Sequence, residues 1–280
     1  MTAKSFKSMN EAGNNLLLVD GLNMCFSFRG KLNFQEAYVK MIQSLQRSYK
    51  CSKVIVCVDR GSSTYRKTIY PEYKYNRKQM QEAQTDAERE EFEAFFKCFE
   101  ESLVLLAEST DYPIIRFKGV EADDTIAFIC SKAKKLPVDH IWIVSSDRDL
   151  NLLVDEKVSQ FSYVTRKEFT VENWHEHYDW DRDSYISIKC LMGDTGDNVP
   201  GVPGIGPKKA AALVEEYGST YDIIASLPIA SKYKHIANLN AFGAEALMLN
   251  YKLMDLVTFC RDAIGDENLE TLEEIIGEYL

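Results

Sequence analysis

Nine carboxylates in this 280-residue chain stand where they could work together on a phosphate ester. Three follow apolar, β-branched runs at once: Leu16-Leu-Leu-Val-Asp20-Gly, Val54-Ile-Val-Cys-Val-Asp59-Arg-Gly and Ile141-Trp-Ile-Val-Ser-Ser-Asp147-Arg-Asp149. A fourth run, Ile114–Phe117, leads through Lys118-Gly-Val into Glu121-Ala-Asp123-Asp124, which opens a helix-like stretch. Asp194 and Asp197 follow in Met-Gly-Asp-Thr-Gly-Asp-Asn. Singly, each acid reads as a turn residue or a helix-start charge. Together they do not, because the carboxyl ends of strands in an open α/β sheet share one edge. Two carboxylates 4 Å apart repel by about 4 kcal/mol at an effective dielectric of 20. Such a cluster calls for protonation, separation or bridging cations. All-oxygen donors without nearby His or Cys point to hard ions, Mg2+ or Mn2+. Two such ions suit phosphodiester hydrolysis. A phosphatase or phosphotransferase would use the same groups, so the discriminating feature is a grip on a polymer.

Two segments offer that grip. Thr64–Lys78 interleaves tyrosines with bases, including Tyr73, Lys74 and Arg77, a composition able to stack on bases and neutralise phosphates. A solvated basic loop with core-packed tyrosines is the competing reading. Gly201-Val-Pro-Gly204-Ile-Gly206-Pro207-Lys208-Lys209 leads into an amphipathic helix. Free amides at such a hairpin, with Lys208 and Lys209 beside them, suit backbone phosphate without base readout. Other patterns fail. Pro207 and Lys209 stand where a P-loop needs Lys and Ser or Thr. Ser184 and Cys190 break an EF-hand begun by Asp179-x-Asp181-x-Asp183. His175 and His177 lack a third soft ligand, and Trp142 and Trp174 read as core.

The elements that position these groups are legible in outline. Strand-like runs alternate with helix-like stretches at about 35–49, 88–107 and 122–135, which predicts a mostly parallel sheet covered on both faces. Beyond about residue 179 the β signal fades, and helix patterns appear near 185–192, 207–217, 221–226 and 244–256. The expected division is an α/β unit over 14–178 and a helical region over 179–280. The net charge of −10 is uneven: Arg60–Lys78 carries six bases and one acid, Gln79–Glu101 eight acids and two bases. After Arg261 come seven acids and no base, read as a solvated face. Setting the nine motif acids aside leaves the chain close to neutral, so its acidity does not exclude a nucleic-acid binder. The seven scattered cysteines, with no C-x-x-C pair, read as reduced thiols. No apolar run exceeds five residues, and Met1–Ser8 lacks an apolar signal, so secretion and membrane spanning are not expected. A cytoplasmic protein is.

The motifs form an ordered set. Val-Asp20-Gly, Val-Asp59-Arg-Gly, Tyr-Pro-Glu-Tyr-Lys74-x-Asn-Arg77, Gly-Val-Glu121-Ala-Asp123-Asp124, Ser-Ser-Asp147-x-Asp149 and Met-Gly-Asp194-x-x-Asp197-Asn-x-Pro-Gly-Val-Pro-Gly-Ile-Gly resemble bacteriophage flap endonucleases. They are also similar to the 5′-nuclease domain of bacterial DNA polymerases, and the resemblance runs from about Leu16 to Leu256. It implies a PIN-like α/β fold, a helical arch over about 71–100 and a C-terminal helix–hairpin–helix. It implies a divalent-metal-dependent 5′–3′ exonuclease and flap endonuclease acting, as a monomer in the host cytoplasm, on branched or 5′-ended DNA. Asp20, Asp59, Glu121, Asp123 and Asp124 would serve one metal region, and Asp147, Asp149, Asp194 and Asp197 a second. Lys74 and Arg77 would contact the scissile phosphate. Tyr73, Gly204, Gly206, Lys208 and Lys209 would join them in holding DNA, with a potassium ion often found at such a hairpin. Tyr75, where relatives often have a small residue, and the acidic arch segment depart from the pattern. A PIN-type ribonuclease and a DNA-binding module without catalysis are the alternatives.

Overall fold

The computed structural model describes residues 13–280, and the Met1–Ser8 segment lies outside them. The four apolar runs become strands β1 (Asn15–Asp20), β2 (Cys51–Cys57), β3 (Ile114–Ile115) and β4 (Ile141–Val144). β3 is shorter than its run: its pairing ends at Ile115 opposite Cys57, the last residue of β2, and the next residue, Arg116, pairs with Glu100. Two further strands, β5 (Val158–Phe161) and β6 (Glu168–Phe169), complete the sheet order β3-β2-β1-β4-β5-β6. Every neighbouring pair is parallel except β5 with β6. The chain builds outward from β1 through β2 to β3, then crosses to β4 and builds the other way. The switch point therefore lies between β1 and β4, where such sheets place their ligand crevice.

Alternate residues of the strands feed two cores. On one face Leu17, Val19, Val54 and Val56 pack under α2 (Phe34–Ser48) and the inner part of α5 (Asp86–Ser109). On the other, Leu16, Leu18, Ile55, Ile141 and Ile143 pack under α6 (Ala122–Ser131). Short helices α1 (Gly21–Phe26) and α3 (Thr64–Ile69) follow the first two strands, and α4 (Tyr75–Glu82) precedes α5. A Thr85–Glu88 capping box starts α5, whose buried residues begin only at Phe95. The expected arch segment is thus a helical hairpin with a charged, exposed tip.

The second half is helical: α7 (Tyr185–Met192), α8 (Pro207–Tyr217), α9 (Thr220–Ser226), α10 (Lys234–Met254, kinked at Gly243), α11 (Leu256–Ile264) and α12 (Asp266–Tyr279). Ile188, Leu191, Val202, Ala210, Leu213, Ile223, Leu239 and Leu247 form its core. The last two helices return to the sheet. Leu256, Cys260 and Ile264 of α11 and Leu269, Leu272 and Ile276 of α12 share a cluster with Ile126, Phe128 and Ile129 of α6. The acid-rich tail is therefore one solvated face of a packed helix. All seven cysteines are unpaired, and among the described residues no helix is long and apolar enough to cross a membrane.

Candidate active site

Asp20 ends β1 and caps α1, accepting from the Asn23 amide at 3.2 Å and from the Ser145 hydroxyl at 2.7 Å. Ser145 directly follows β4, so this bond closes the switch point. Asp59, just beyond β2, accepts from the Ala122 amide at 2.5 Å and fixes the start of α6. Asp123 is in the first turn of that helix, and Asp147 accepts from the Asp149 amide at 2.9 Å. Burial, with Asp59 and Asp147 close by, pushes the Asp20 carboxyl up to about 8. Burial and the charges of Asp147, Asp20 and Asp59 push Asp123 well above the usual carboxylate range. Asp59 is raised by burial and by Glu121 and Asp124, against the Ala122 amide and Lys74. These acids crowd one edge and resist sharing it as anions.

Cations are built into the same edge. Lys74 Nζ donates to Glu121 at 2.6 Å and lies 3.7 Å from Asp197. Burial alone would lower the Lys74 pKa, but Glu121 and Asp197 outweigh it and hold the ammonium charged. Burial likewise raises Glu121, yet Lys74 and Arg66 keep it below the usual range. Arg66 grips both Asp124 oxygens at 2.7 and 2.8 Å and reaches Glu121 at 3.1 Å. Asp124 is fully buried in this pair. Lys189 bridges Asp149 and Asp194. It and the amides of Asp197 and Gly196 hold Asp194 low despite burial, whereas burial takes Asp149 up to about 6 against its pull.

Asp194 and Asp197 sit on a loop, residues 193–201, between α7 and the hairpin. Its ends approach so closely that a Cβ on Gly201 would lie 1.9 Å from the Met192 carbonyl oxygen. Asp194 and Val199 exchange backbone bonds of 2.8 and 2.7 Å across it. The Asp197 carbonyl accepts from the Lys74 amide at 2.9 Å, and its carboxylate from Arg77 at 2.7 Å. The loop thus binds the base of α4 to the helical half. Tyr73, expected to hold DNA, is buried instead, its hydroxyl donating to Asp197 at 2.7 Å and Glu121 at 3.1 Å. Its ring is not available for stacking; the neighbouring Tyr75 is 46% exposed. At the hairpin, Gly204 takes φ +80°, Gly206 precedes α8 and Pro207 is in its first turn. Lys208 and Lys209 are exposed.

Comparison with known proteins gives the same reading. Family models for the 5′-3′ exonuclease N-terminal resolvase-like domain and C-terminal SAM fold match residues 15–179 and 181–274. The flap endonuclease of Escherichia phage T5 is 40% identical over 270 residues, 95% of this chain and 91% of that one. The chain belongs to the 5′-3′ exonuclease family. It is a structure-specific 5′ nuclease. A crystal structure of the bacteriophage T5 flap endonuclease, in a pseudo-enzyme-product complex with DNA and metal ions, matches with a TM-score of 0.89. The identity is 39%, covering 95% of this chain and 99% of that one. DNA polymerase I of Caldicellulosiruptor bescii is 35% identical over 68% of this chain, which spans 22% of the polymerase.

In this 5′-3′ exonuclease the fold brings all nine sequence-predicted acids towards the strand ends and the adjoining loop; Glu121, Asp124, Asp149, Asp194 and Asp197 are ion-paired there by Lys74, Arg66, Lys189 and Arg77. Two of these cations were not singled out from sequence. Arg66 is one of several bases in a basic segment, and Lys189 lies inside the 185–192 helix pattern with no acid motif beside it. No local pattern marks either, because each meets its acids only through the tertiary fold.

Proposed function

We propose that this nuclease hydrolyses phosphodiester bonds at or near 5′ ends and 5′ flaps of branched or duplex DNA, with two or more Mg2+ or Mn2+ ions on the acid edge. The observation that carries this is the crowding of Asp20, Asp59, Asp123 and Asp147 at the switch point, with Lys74 and Arg77 against the same edge. The donors are all oxygen, which suits hard cations. Among the described residues no three His, Cys, Asp or Glu side chains close into a metal cage. Ions that retain several waters and lean on substrate phosphate fit such an open edge better than a sealed structural metal does. Asp20, Asp59, Glu121 and Asp123 would hold one ion, with Asp124 locked behind them by Arg66. Asp147, Asp149, Asp194 and Asp197 would hold the second.

When bound, these ions supply a nucleophile at neutral pH and charge stabilisation for the attacking and leaving oxygens. The chain's own groups do the rest. Lys74, fixed between two carboxylates, donates to the phosphoryl oxygens as charge develops. Arg77, more exposed, holds the phosphate through its fork of N–H groups. The hairpin amides and Lys208 and Lys209 take the duplex backbone. A potassium ion there would have to displace Lys209, whose ammonium donates to the Gly204 carbonyl at 2.8 Å.

The test is cleavage of a 5′-labelled flap, a nicked duplex, single-stranded DNA and a matched RNA flap, each with and without Mg2+. Release of short 5′ products from the DNA flap, only with the ion, is the expected result. Faster cutting of the RNA flap, or activity in chelator, would overturn the proposal.

A further inference from the structure

The kinked helix α10 touches each working part of the nuclease. Near its start the Asn238 amide donates to the Pro203 carbonyl of the hairpin at 2.7 Å. Near its end the Leu253 carbonyl accepts from Arg66 Nε at 2.8 Å, the same guanidinium that holds Asp124 and Glu121. Between them lies Asn250, only 1% exposed. Its Nδ2 donates to the Cys190 carbonyl at 2.9 Å and to the Pro200 carbonyl at 2.8 Å. These carbonyls flank the loop that carries Asp194 and Asp197: Cys190 stands in α7 just before it, Pro200 at its far end. A single nitrogen with two N–H groups therefore ties the loop's two ends together.

We propose that Asn250 is a positioning residue for catalysis, holding the 193–201 loop so that Asp194 and Asp197 meet the strand-end acids. Through the same loop it sets the arch base, because the Asp197 carbonyl receives the Lys74 amide and Asn76 donates to the Thr195 carbonyl at 2.8 Å. The inference rests on the reading of Asp194 and Asp197 as part of the catalytic edge. A packing role alone would be met by leucine, which is branched at Cγ as asparagine is, is somewhat larger and carries no donor. Leucine leaves the buried Cys190 carbonyl without a partner and removes the tie to Pro200, and the loop is then free to shift.

The experiment compares Asn250→Leu with Leu247→Ala, which removes buried volume from the same helix without touching the loop. With saturating flap and Mg2+, Asn250→Leu should lower the single-turnover rate roughly 10²-fold, the scale of an ångström-sized misplacement of reacting groups. Flap affinity in Ca2+ should change no more than about twofold, since the hairpin is anchored separately by Asn238. Amide exchange at Val199 and Val202, whose N–H groups close the loop, should speed up without metal or DNA. Leu247→Ala should melt earlier yet cut near the wild-type rate. If Asn250→Leu does not fold, Asn250→Ser keeps one hydroxyl donor and should cut at an intermediate rate. Cleavage by Asn250→Leu at the wild-type rate, or slowed no more than Leu247→Ala, would overturn the proposal. Asp197→Asn, run alongside, separates the two failures. If it cuts normally, the assignment of the loop acids is wrong; if it is inactive while Asn250→Leu is normal, only the positioning role is.

Discussion

Lys74 and Arg77 lie three residues apart at the start of α4, and their surroundings divide their labour. The Lys74 side chain is 16% exposed and bonded to Glu121, whereas Arg77 is 58% exposed and reaches Asp197 from outside. Removing a preorganised donor of the Lys74 kind costs roughly 10²–10³ in rate. Lys74→Ala should therefore slow single-turnover cleavage by that order while flap affinity in Ca2+ barely changes. Arg77→Ala should lose rate and affinity together, because an exposed guanidinium also docks the phosphate. Cleavage by Lys74→Ala at the wild-type rate under saturating DNA would reduce the residue to a docking charge. Arg66 predicts a different outcome. Stripping one partner from a buried ion pair costs about 3–5 kcal/mol, whereas replacing the pair by apolar groups can be neutral. Arg66→Met should lower the unfolding free energy measured in urea by that amount, and Arg66→Met with Asp124→Leu should recover much of it. Equal losses in the single and double variants would show that Arg66 stabilises through its Leu253 contact instead.

Among the elements, the hairpin between α7 and α8 carries its own test. Lys208→Ala and Lys209→Ala should each weaken duplex binding alike across sequences and reduce the salt slope by about one. A loss confined to particular sequences would mean that the hairpin reads bases. The elements also explain which parts of the fold were legible. β1, β2 and β4 are buried on both faces, so each is a continuous apolar run that sequence exposes directly. β5 reads Val-Ser-Gln-Phe, yet Ser159 and Gln160 are as buried as the core. Gln160 is polar for a reason: it donates to the Ser145 and Asp147 carbonyls and accepts from Asn151, fixing the loop that carries Asp147. A strand whose side chains serve a catalytic loop loses the hydrophobic signature of a strand. α3 and α4 were hidden similarly, inside a basic segment whose charges belong to the site. α12 was hidden by its acids, since only Leu269, Leu272 and Ile276 face inward. Seven of the acids are readable because each follows a legible strand or opens a legible helix; Asp194 and Asp197, on a loop, are readable from their Met-Gly-Asp-x-x-Asp motif. Their cationic partners come from other elements and needed the fold.

At the scale of the whole molecule, the acid edge is a place where the sequence favours chemistry over stability. Asp20 is pushed up by burial and by Asp59 and Asp147, and Asp123 by burial and by Asp147, Asp20 and Asp59, so the fold bears the cost of keeping them together. Lys74, Arg66 and Lys189 offset part of that cost, but none of their ion pairs reaches Asp123 or Asp147. A ligand that binds only the native state adds about 2.7 kcal/mol at one hundred times its dissociation constant. For a chain of this size that is about 5 °C in melting temperature. Mg2+ or Mn2+ should therefore raise the melting temperature by that order in buffer of constant ionic strength. Asp123→Asn removes a crowded carboxyl whose side chain makes no hydrogen bond among the described residues, so its metal-free form should melt higher than wild type. The same variant should gain much less from Mn2+, because one donor is gone. Opposite signs for stability in chelator and response to metal are what separate a strained metal edge from a merely charged surface. On a solvated surface Asp123→Asn would change neither, and millimolar Mn2+ would leave both melting curves where they were.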